Sequence, residues 1–178
     1  SDIGTTVLIP YNDESGKFLL NDGRIEFEVV GVNHHATTEH PKTITLMAKN
    51  VLRKAAFDAV EPNNQDPNRA EGGNNRWSVS NIRQWLNSSG AANSWWTANY
   101  ENNEYDAAPT ADKVSGSDGA YADAPGFLAG FSKDVLQHFT AITNTTAVPY
   151  ADGGGSETTE DKVFLPSRIE MGYGNTNG

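Results

Sequence analysis

The chain of 178 residues contains no cysteine, and this absence excludes several kinds of chemistry. Disulfide bonds, thiolate nucleophiles and zinc or iron–sulfur sites with cysteine ligands all depend on that side chain. The fold must therefore be stabilised by its core. A chain of this length buries roughly 70% of the surface that it exposes when unfolded, which is enough without a covalent link.

Basic residues are also scarce. Lys and Arg total 13 against 23 Asp and Glu, which gives a formal net charge of −10 at pH 7. Proteins that bind nucleic acids present a clustered basic face, and anionic membrane surfaces attract basic segments. We therefore expect neither a nucleic-acid nor a membrane partner. The acidic excess indicates solubility in its simplest interpretation, and cation binding by acidic loops is the alternative.

Long apolar runs and the common catalytic motifs are absent as well. No apolar run approaches the roughly 20 residues that span a bilayer. The sequence has no G-x-S-x-G elbow, no P-loop and no G-x-G-x-x-G motif. We therefore predict a protein without a catalytic site or cofactor. A carboxylate pair that hydrolyses glycosides stays open, because the fold rather than the sequence spacing brings such a pair together.

Glycine and aromatic residues are plentiful. The chain has 17 Gly, and its hydrophobic fraction of 37% lies below the roughly 45–50% of ordinary globular domains. Its four Trp, seven Phe and six Tyr are large core side chains of the kind that disordered chains lack. The composition predicts a single domain over residues 1–178, with long loops and a modest core.

Alternation of apolar and polar residues predicts strands. In the clearest one, every second residue from Ile25 to Val29 is apolar and the opposite face is polar, so antiparallel pairing is expected. A further strand would place Ile44 and Leu46 on the core side. Strands are predicted over residues 6–9, 17–20, 24–33, 43–48, 140–148 and 162–165.

Three helices are predicted from their capping residues. Asn50 caps a helix that runs to residue 57, Ser78 or Ser80 caps the second, and the third begins near Ser132. Strands followed by helices and then short strands, without regular alternation, are typical of an α+β fold. Long polar loops are predicted over residues 61–76, 98–123 and 152–160.

Two stretches of the sequence resemble the motifs of an uncharacterised domain family. Residues 76–87 read Arg-Trp-Ser-Val-Ser-Asn-Ile-Arg-Gln-Trp-Leu-Asn, and residues 161–170 read Asp-Lys-Val-Phe-Leu-Pro-Ser-Arg-Ile-Glu. They are similar to the W/Y-x-x-S-x-I-R-x-W-L-N and D-K-V-F-L-x-S-x-x-E patterns of a family common in Firmicutes genomes, prophages and gut phages. Three shorter segments agree, at residues 45–47, 57–62 and 125–128.

The resemblance implies a compact C-type-lectin-like or formylglycine-generating-enzyme-like α+β scaffold that carries long loops. It implies no catalytic residues. Members of that family continue beyond the second motif, whereas this sequence ends in a Gly- and Asn-rich stretch over residues 172–178. We therefore expect the domain to be completed at its C-terminal end by further polypeptide.

The four tryptophans divide into core and binding candidates. Trp85 shares one helical stripe with Ile82 and Leu86, so we predict that all three are structural core residues. Adjacent side chains rarely both face inward, so the pair at residues 95–96 is expected to expose a ring on which a sugar could stack. The predicted binding residues are Trp77, Trp95 and Trp96.

Arg83 and Phe164 are predicted to be structural. Arg83 lies beside apolar anchors in the first motif, where a guanidinium holds a carboxylate or carbonyl oxygens through its fork of donors, and Arg168 has the same setting in the second motif. Phe164 belongs to the apolar strand near the end of the chain, whose open edge needs a partner. Asn81 and Asn87 are predicted to cap helix ends.

Two groups of residues could ligate a metal, and for both we predict that they do not. His34, His35 and His40 lie close in sequence, but adjacent side chains on an extended segment point to opposite sides. Acidic residues near the first polar loop suit calcium by ligand type, yet they lack EF-hand spacing and are explained by turn stabilisation. These acids are Asp58, Glu61, Asp66 and Glu71.

The composition and the resemblance together favour a non-catalytic module of a phage virion or a bacterial surface, such as a tail, fibre or head component. It would bind or present a surface to protein or glycan. The alternatives are an enzyme that acts on carbohydrate or peptidoglycan and a purely structural assembly domain. The expected partners are other virion or surface proteins and a host glycan, self-association is a further expectation, and the expected location is the virion or the extracellular surface.

Overall fold

A three-stranded antiparallel sheet lies near the start of the chain in the computed structural model, which describes residues 2–98, 104–167 and 171. Its strands are β1 (Thr6–Pro10), β2 (Arg24–Val32) and β3 (Ile44–Ala48), in the spatial order β1-β2-β3. Ile25 and Val29 of β2 are fully buried. The antiparallel pairing predicted from the alternation is confirmed.

A register shift in the sheet exposes one residue that we expected in the core. The pairing of β2 with β3 is irregular between Val29 and Gly31. Before the shift Val29 lies opposite Leu46, which is half-buried, and beyond it Val32 lies opposite Ile44. Ile44 is 46% exposed, so the prediction that its side chain faces the core is wrong. The residue lies at the end of the sheet, beyond the side chains that cover the middle.

A two-stranded antiparallel sheet lies near the end of the chain, formed by β4 (Ile142–Ala147) and β5 (Ser156–Asp161). The strand predicted over residues 140–148 is confirmed. The loop predicted over residues 152–160 is wrong, since most of β5 lies there, and residues 162–165 form no strand. The inward side chains of β5 are polar, so the strand has no alternation of apolar and polar residues by which the sequence could reveal it.

The described residues include three short α-helices, α1 (Pro67–Gly72), α2 (Asn81–Leu86) and α3 (Lys133–Leu136). The serine caps predicted for α2 and α3 are confirmed, because Ser80 Oγ accepts from Arg83 N and Ser132 Oγ accepts from Val135 N. Helix α1 lies within residues 61–76, which were predicted to form a loop. The helix begins there because Asp66 caps its N-terminus and a proline occupies its first turn. No described helix is long and apolar enough to cross a membrane.

The segment over residues 50–57 is irregular, so the helix predicted from Asn50 is wrong. Its backbone groups bond to other parts of the chain, with Leu52 O accepting from Leu19 N at 2.7 Å and Ala56 N donating to Gly119 O at 3.0 Å. These tertiary bonds replace the helical ladder, because each backbone group needs one partner wherever it is found. The predicted strand over residues 17–20 is also absent.

Aromatic side chains fill the core between the sheet and α2. The ring of Trp85 lies 5.2 Å from that of Tyr121 and 5.6 Å from that of Phe127, between centroids. Gly126 approaches the Ser88 carbonyl so closely that a Cβ would clash with it, which explains glycine at that position. Two antiparallel sheets with short helices and long connections make the architecture α+β.

Candidate functional site

Two of the three tryptophans predicted to bind a ligand are buried. Trp77 and Trp95 are each 7% exposed. Trp77 Nε1 donates to Asp161 Oδ2 at 2.8 Å, and the ring of Trp95 stacks on that of Tyr121 at 5.7 Å with an interplanar angle of 4°. Both rings are covered by other parts of the protein, which leaves no exposed face on which a sugar could stack.

Trp96 is half-buried and packs against the edge of the core. Its Nε1 atom is buried, and within the described part of the chain no group accepts a hydrogen bond from it. The structure does not bring Trp96 together with Trp77 or Trp95 into one exposed surface. A binding role for Trp96 stays a prediction.

The residues predicted to be structural lie in and around α2. Ile82, Trp85 and Leu86 are buried in one cluster. Arg83 Nε donates to Asp161 Oδ1 at 2.7 Å, and Arg83 Nη1 donates to a backbone carbonyl oxygen at 3.1 Å. Arg168, the second arginine singled out in the sequence, lies outside the described residues.

Phe164 and its neighbours are held by a helix end rather than by a strand. The Phe164 ring is half-buried and lies edge-on to His35 at 6.2 Å between centroids. Asn87 Oδ1 accepts from the backbone N of Lys162 and Val163, at 2.8 and 3.1 Å, and Asn87 Nδ2 donates to Val163 O at 2.8 Å. Asn87 is the C-cap residue of α2, as predicted, and its side chain also fastens this segment to the helix.

Asp161 is a fully buried carboxylate at the end of β5, and sequence reasoning missed it. Besides Trp77 and Arg83, it accepts from Thr159 Oγ1 at 2.6 Å and Asn144 Nδ2 at 3.3 Å. Burial alone would raise the pKa of Asp161. The hydrogen bonds from Thr159, Trp77 and Asn144 and the charge of Arg83 outweigh burial, and they hold the pKa below its usual value.

Three carboxyl groups lie together near the start of α2. One oxygen each from Asp58, Glu61 and Asp106 lies within 4.8 Å of the others. The pKa of Asp58 is raised to about 7, because burial and then the charges of the neighbouring acids outweigh the opposing hydrogen bonds from Asn81 and Asn74. Burial likewise raises the pKa of Glu61. The sequence singled out Asp58 and Glu61 but not Asp106.

The bonds within this acidic cluster explain it as part of the scaffold. The two carboxylate oxygens of Asp58 accept from Asn81 N and Asn74 N, both at 2.8 Å, and Glu61 accepts from the side-chain amide of Asn64. Oxygen ligands are those that calcium prefers, but these are engaged by the protein. Asp58 is 6% exposed and Glu61 1% exposed, which closes the pair to a polymeric substrate.

The other metal candidates are not gathered by the fold. Asp66 caps α1 through a bond from Asn68 N at 2.9 Å, which is the turn chemistry expected of it, and Glu71 is exposed. The rings of His34 and His35 are 6.2 Å apart and nearly perpendicular. Among residues 2–98 and 104–167, no histidine belongs to a group of three potential metal ligands.

An open cleft of about 580 Å³ lies between two loops that are distant in the sequence. Residues 37–40, from the connection between β2 and β3, line it together with Gln137 and residues 139–141, which follow α3. This volume falls within the range of roughly 300–1,000 Å³ that is usual for small-molecule sites. The cleft therefore has the volume of a small-molecule site.

Backbone bonds fix the shape of the first loop. Asn33, at a φ of 57°, begins it, and its base is closed by bonds from Asn33 N to Thr43 O at 2.7 Å and from Thr43 N to Asn33 Oδ1 at 3.1 Å. Near its tip, Thr37 N donates to His40 O and His40 N donates to Thr37 Oγ1, both at 3.0 Å. The exposed side chains of residues 37–40 thus project from an ordered turn.

The second lining segment is anchored in the core. Phe139 N donates to Leu136 O at 3.0 Å, and the Phe139 ring lies 5.1 Å from the ring of Phe131, which is buried. Gln137 is exposed beside it. No single stretch of sequence signals this cleft, because its two sides are about a hundred residues apart and each alone is an ordinary polar turn.

A second cavity is much smaller. It has a volume of about 10 Å³ beside Tyr11, Asp13 and Phe18, which is room for about one water molecule. Tyr11 is itself buried, and its hydroxyl donates to Phe127 O at 3.0 Å. This space is therefore a packing defect at the core boundary rather than a ligand site.

Comparison with known proteins identifies the family of the chain. A family model described as a domain of unknown function, DUF6273, matches residues 42–178, which include both motif stretches, β3 and all the helices and strands that follow. No curated protein matches the chain, and no solved structure does.

Proposed function

The chain belongs to the DUF6273 family, and we propose that it is a non-catalytic binding module of a phage virion or a bacterial surface. The proposal includes a C-type-lectin-like scaffold, in which short helices and small sheets hold long loops. Its partners are surface proteins or glycans that it meets outside the cell. The motif stretches at residues 76–87 and 161–170 support this setting through their resemblance to phage and Firmicutes sequences.

The cleft between residues 37–40 and 139–141 carries the proposal. It has the volume of a ligand site, and both of its sides are ordered by bonds to the scaffold. Loops positioned by a rigid scaffold commonly carry binding functions. A cleft held open in this way can bind without a large rearrangement of the protein.

The placement of the acidic residues supports binding rather than catalysis. A glycoside hydrolase needs two carboxyl groups on either side of the scissile bond. The carboxyl groups of Asp58 and Glu61, which lie together, are buried and bonded to the protein, and they are not part of the cleft lining. The cleft itself contributes one carboxylate, that of Glu39.

Binding of the labelled protein to a panel of Firmicutes cells and their isolated walls tests the proposal. We expect saturable binding that is lost in Thr38→Trp, which fills the cleft. It should be retained in Thr145→Trp, which makes the same change on the exposed face of β4. Release of reducing ends from the walls, measured in the same samples, should stay at background. Release above background, or equal binding by both variants, would count against the proposal.

A further inference from the structure

We infer that the cleft binds a neutral saccharide through its ring of hydroxyl, amide and carboxylate groups. This inference rests on the proposed binding function and gives its ligand a chemical class. Of the residues that line the cleft, Thr37, Thr38, Gln137 and Thr140 carry neutral polar side chains, and Glu39 carries the one carboxylate. Three of these five come from the ordered turn at residues 37–40.

The polar groups of the cleft match those of a sugar. A sugar hydroxyl both donates and accepts, and so do a threonine hydroxyl and a glutamine amide, whereas a carboxylate accepts only. Thr37 Oγ1 accepts from His40 N, and its one hydroxyl hydrogen can be donated to a ligand. Gln137 and Glu39 are exposed and line the cleft from its two sides, so both are available to the hydroxyls of a bound sugar.

The charge of the lining selects against anionic ligands. No lysine or arginine lines the cleft, and these are the side chains that hold sialic acid, uronic acid or phosphate groups. Glu39 repels such groups at close range, and the net charge of −10 opposes their approach from a distance. The ligand that fits is therefore neutral.

The size of the cleft favours a saccharide over a folded protein. A stable protein interface buries roughly 800 Å² on each partner, whereas the space between these two loops is about 580 Å³, the size of a small-molecule site. The half-buried Phe139 ring adds apolar surface at one side, against which the C–H face of a sugar can lie. The open side of the cleft leaves room for an oligosaccharide to continue into solvent.

The test begins on a glycan array that carries neutral oligosaccharides of glucose, galactose, N-acetylglucosamine and rhamnose beside their sialylated and phosphorylated counterparts. We expect binding to a neutral glycan and weaker binding to its anionic counterpart. Titration calorimetry with the best neutral glycan then compares the wild-type protein with Thr38→Val and Gln137→Ala. Each variant should raise Kd about 3- to 10-fold, since each loses one net hydrogen bond.

Thr145→Val is the matched control, because Thr145 is an equally exposed threonine on β4. Its Kd should equal that of the wild type, and all variants should melt within a few degrees of it. A neutral glycan bound equally by all variants would place the site elsewhere and overturn the inference alone. Equal binding of anionic glycans would do the same. If the protein binds cells but no glycan on the array, the proposed binding function stands and the saccharide inference is overturned. If it binds neither cells nor glycans, the proposed function and the inference are both overturned.

Discussion

At the scale of single residues, Trp85 joins several side chains of the core. Its ring contacts those of Tyr121 and Phe127, its Nε1 donates to Pro125 O at 2.8 Å, and the Arg53 guanidinium lies 5.3 Å from the ring. The indole therefore combines apolar burial, one hydrogen bond and a cation–π contact. Its removal leaves a cavity and takes away one of the three rings, with those of Phe18 and Tyr121, over which the half-buried Arg53 guanidinium lies.

Trp85→Ala should lower the free energy of unfolding by about 3–5 kcal/mol, the usual cost of truncating a large buried aromatic side chain. Urea denaturation followed by circular dichroism measures the change. Tyr150→Ala is the control, because Tyr150 is 96% exposed and its loss should change stability by less than about 0.5 kcal/mol. Equal midpoints for the two variants would show that the core does not depend on Trp85.

The helix stripe at residues 82–86 shows what single residues reveal without a structure. Its apolar side chains recur at helical spacing, and burial follows that spacing because one face of a helix must be covered. No such spacing indicates the burial of Trp77 and Trp95. An isolated tryptophan in an irregular segment carries no period, so its burial depends on contacts such as those with Asp161 and Tyr121.

At the scale of elements, the structure depends on polar connections that have no hydrophobic signal. β5 was not predicted, since its inward side chains are Glu157, Thr159 and Asp161 rather than apolar residues. Glu157 pairs with Arg76 at 2.7 Å and Asp161 pairs with Arg83. The first sheet was predicted nearly in full, because its strands alternate apolar and polar residues over one solvated face.

Asp161→Asn should lower the free energy of unfolding by about 3–5 kcal/mol, the cost of removing one partner of a buried ion pair. The variant leaves the Arg83 charge without its counter-ion and turns two amide hydrogens towards the donors that surround Asp161. Thermal and urea denaturation measure the effect.

Glu160→Gln is the matched control for that change, since Glu160 is the preceding residue of β5 and is exposed. It accepts one bond from Thr143 Oγ1 at 2.6 Å and should change stability by less than about 1 kcal/mol. Comparable losses in the two variants would mean that β5 is not attached to the helix region through Asp161.

At the scale of the whole molecule, the buried carboxyl groups make stability depend on pH. The folded state raises the pKa of Asp58 from 3.8 to about 7, so it binds a proton more tightly than the unfolded chain does. Stability from this group is therefore complete below about pH 4 and is lost as the pH rises towards 7. The carboxyl groups whose pKa is lowered, such as that of Asp161, affect stability at lower pH. Their contribution is lost as the pH falls below about 4.

The free energy of unfolding of the wild-type protein should thus fall by about 2 kcal/mol between pH 5 and pH 7 from Asp58 alone. Asp58→Asn removes this titration and should flatten the profile, whatever its effect on absolute stability. Asp112→Asn, at an exposed carboxyl group, should keep the wild-type slope. Denaturation at pH 5, 6 and 7 measures the two slopes. Parallel profiles for the wild type and Asp58→Asn would refute the assignment of the pH dependence to Asp58.

The acidic cluster and the cleft are also properties of the whole molecule, and the sequence indicated only parts of each. Asp58 and Glu61 lie close in sequence, but Asp106 joins them only through tertiary folding. The cleft brings residues 37–40 against residues 139–141. Contacts between segments so far apart depend on the path of the whole chain, which local patterns of apolar and polar residues do not specify.

The closed base of the loop between β2 and β3 has a consequence for the divergence of related proteins. The bonds between Asn33 and Thr43 keep the strand register unchanged whatever lies between them, and lengthening such a loop costs little entropy. Substitutions and insertions at residues 37–40 can therefore accumulate without loss of the fold. Under the proposed function, such changes would alter the ligand that is bound while the tryptophan core stays intact.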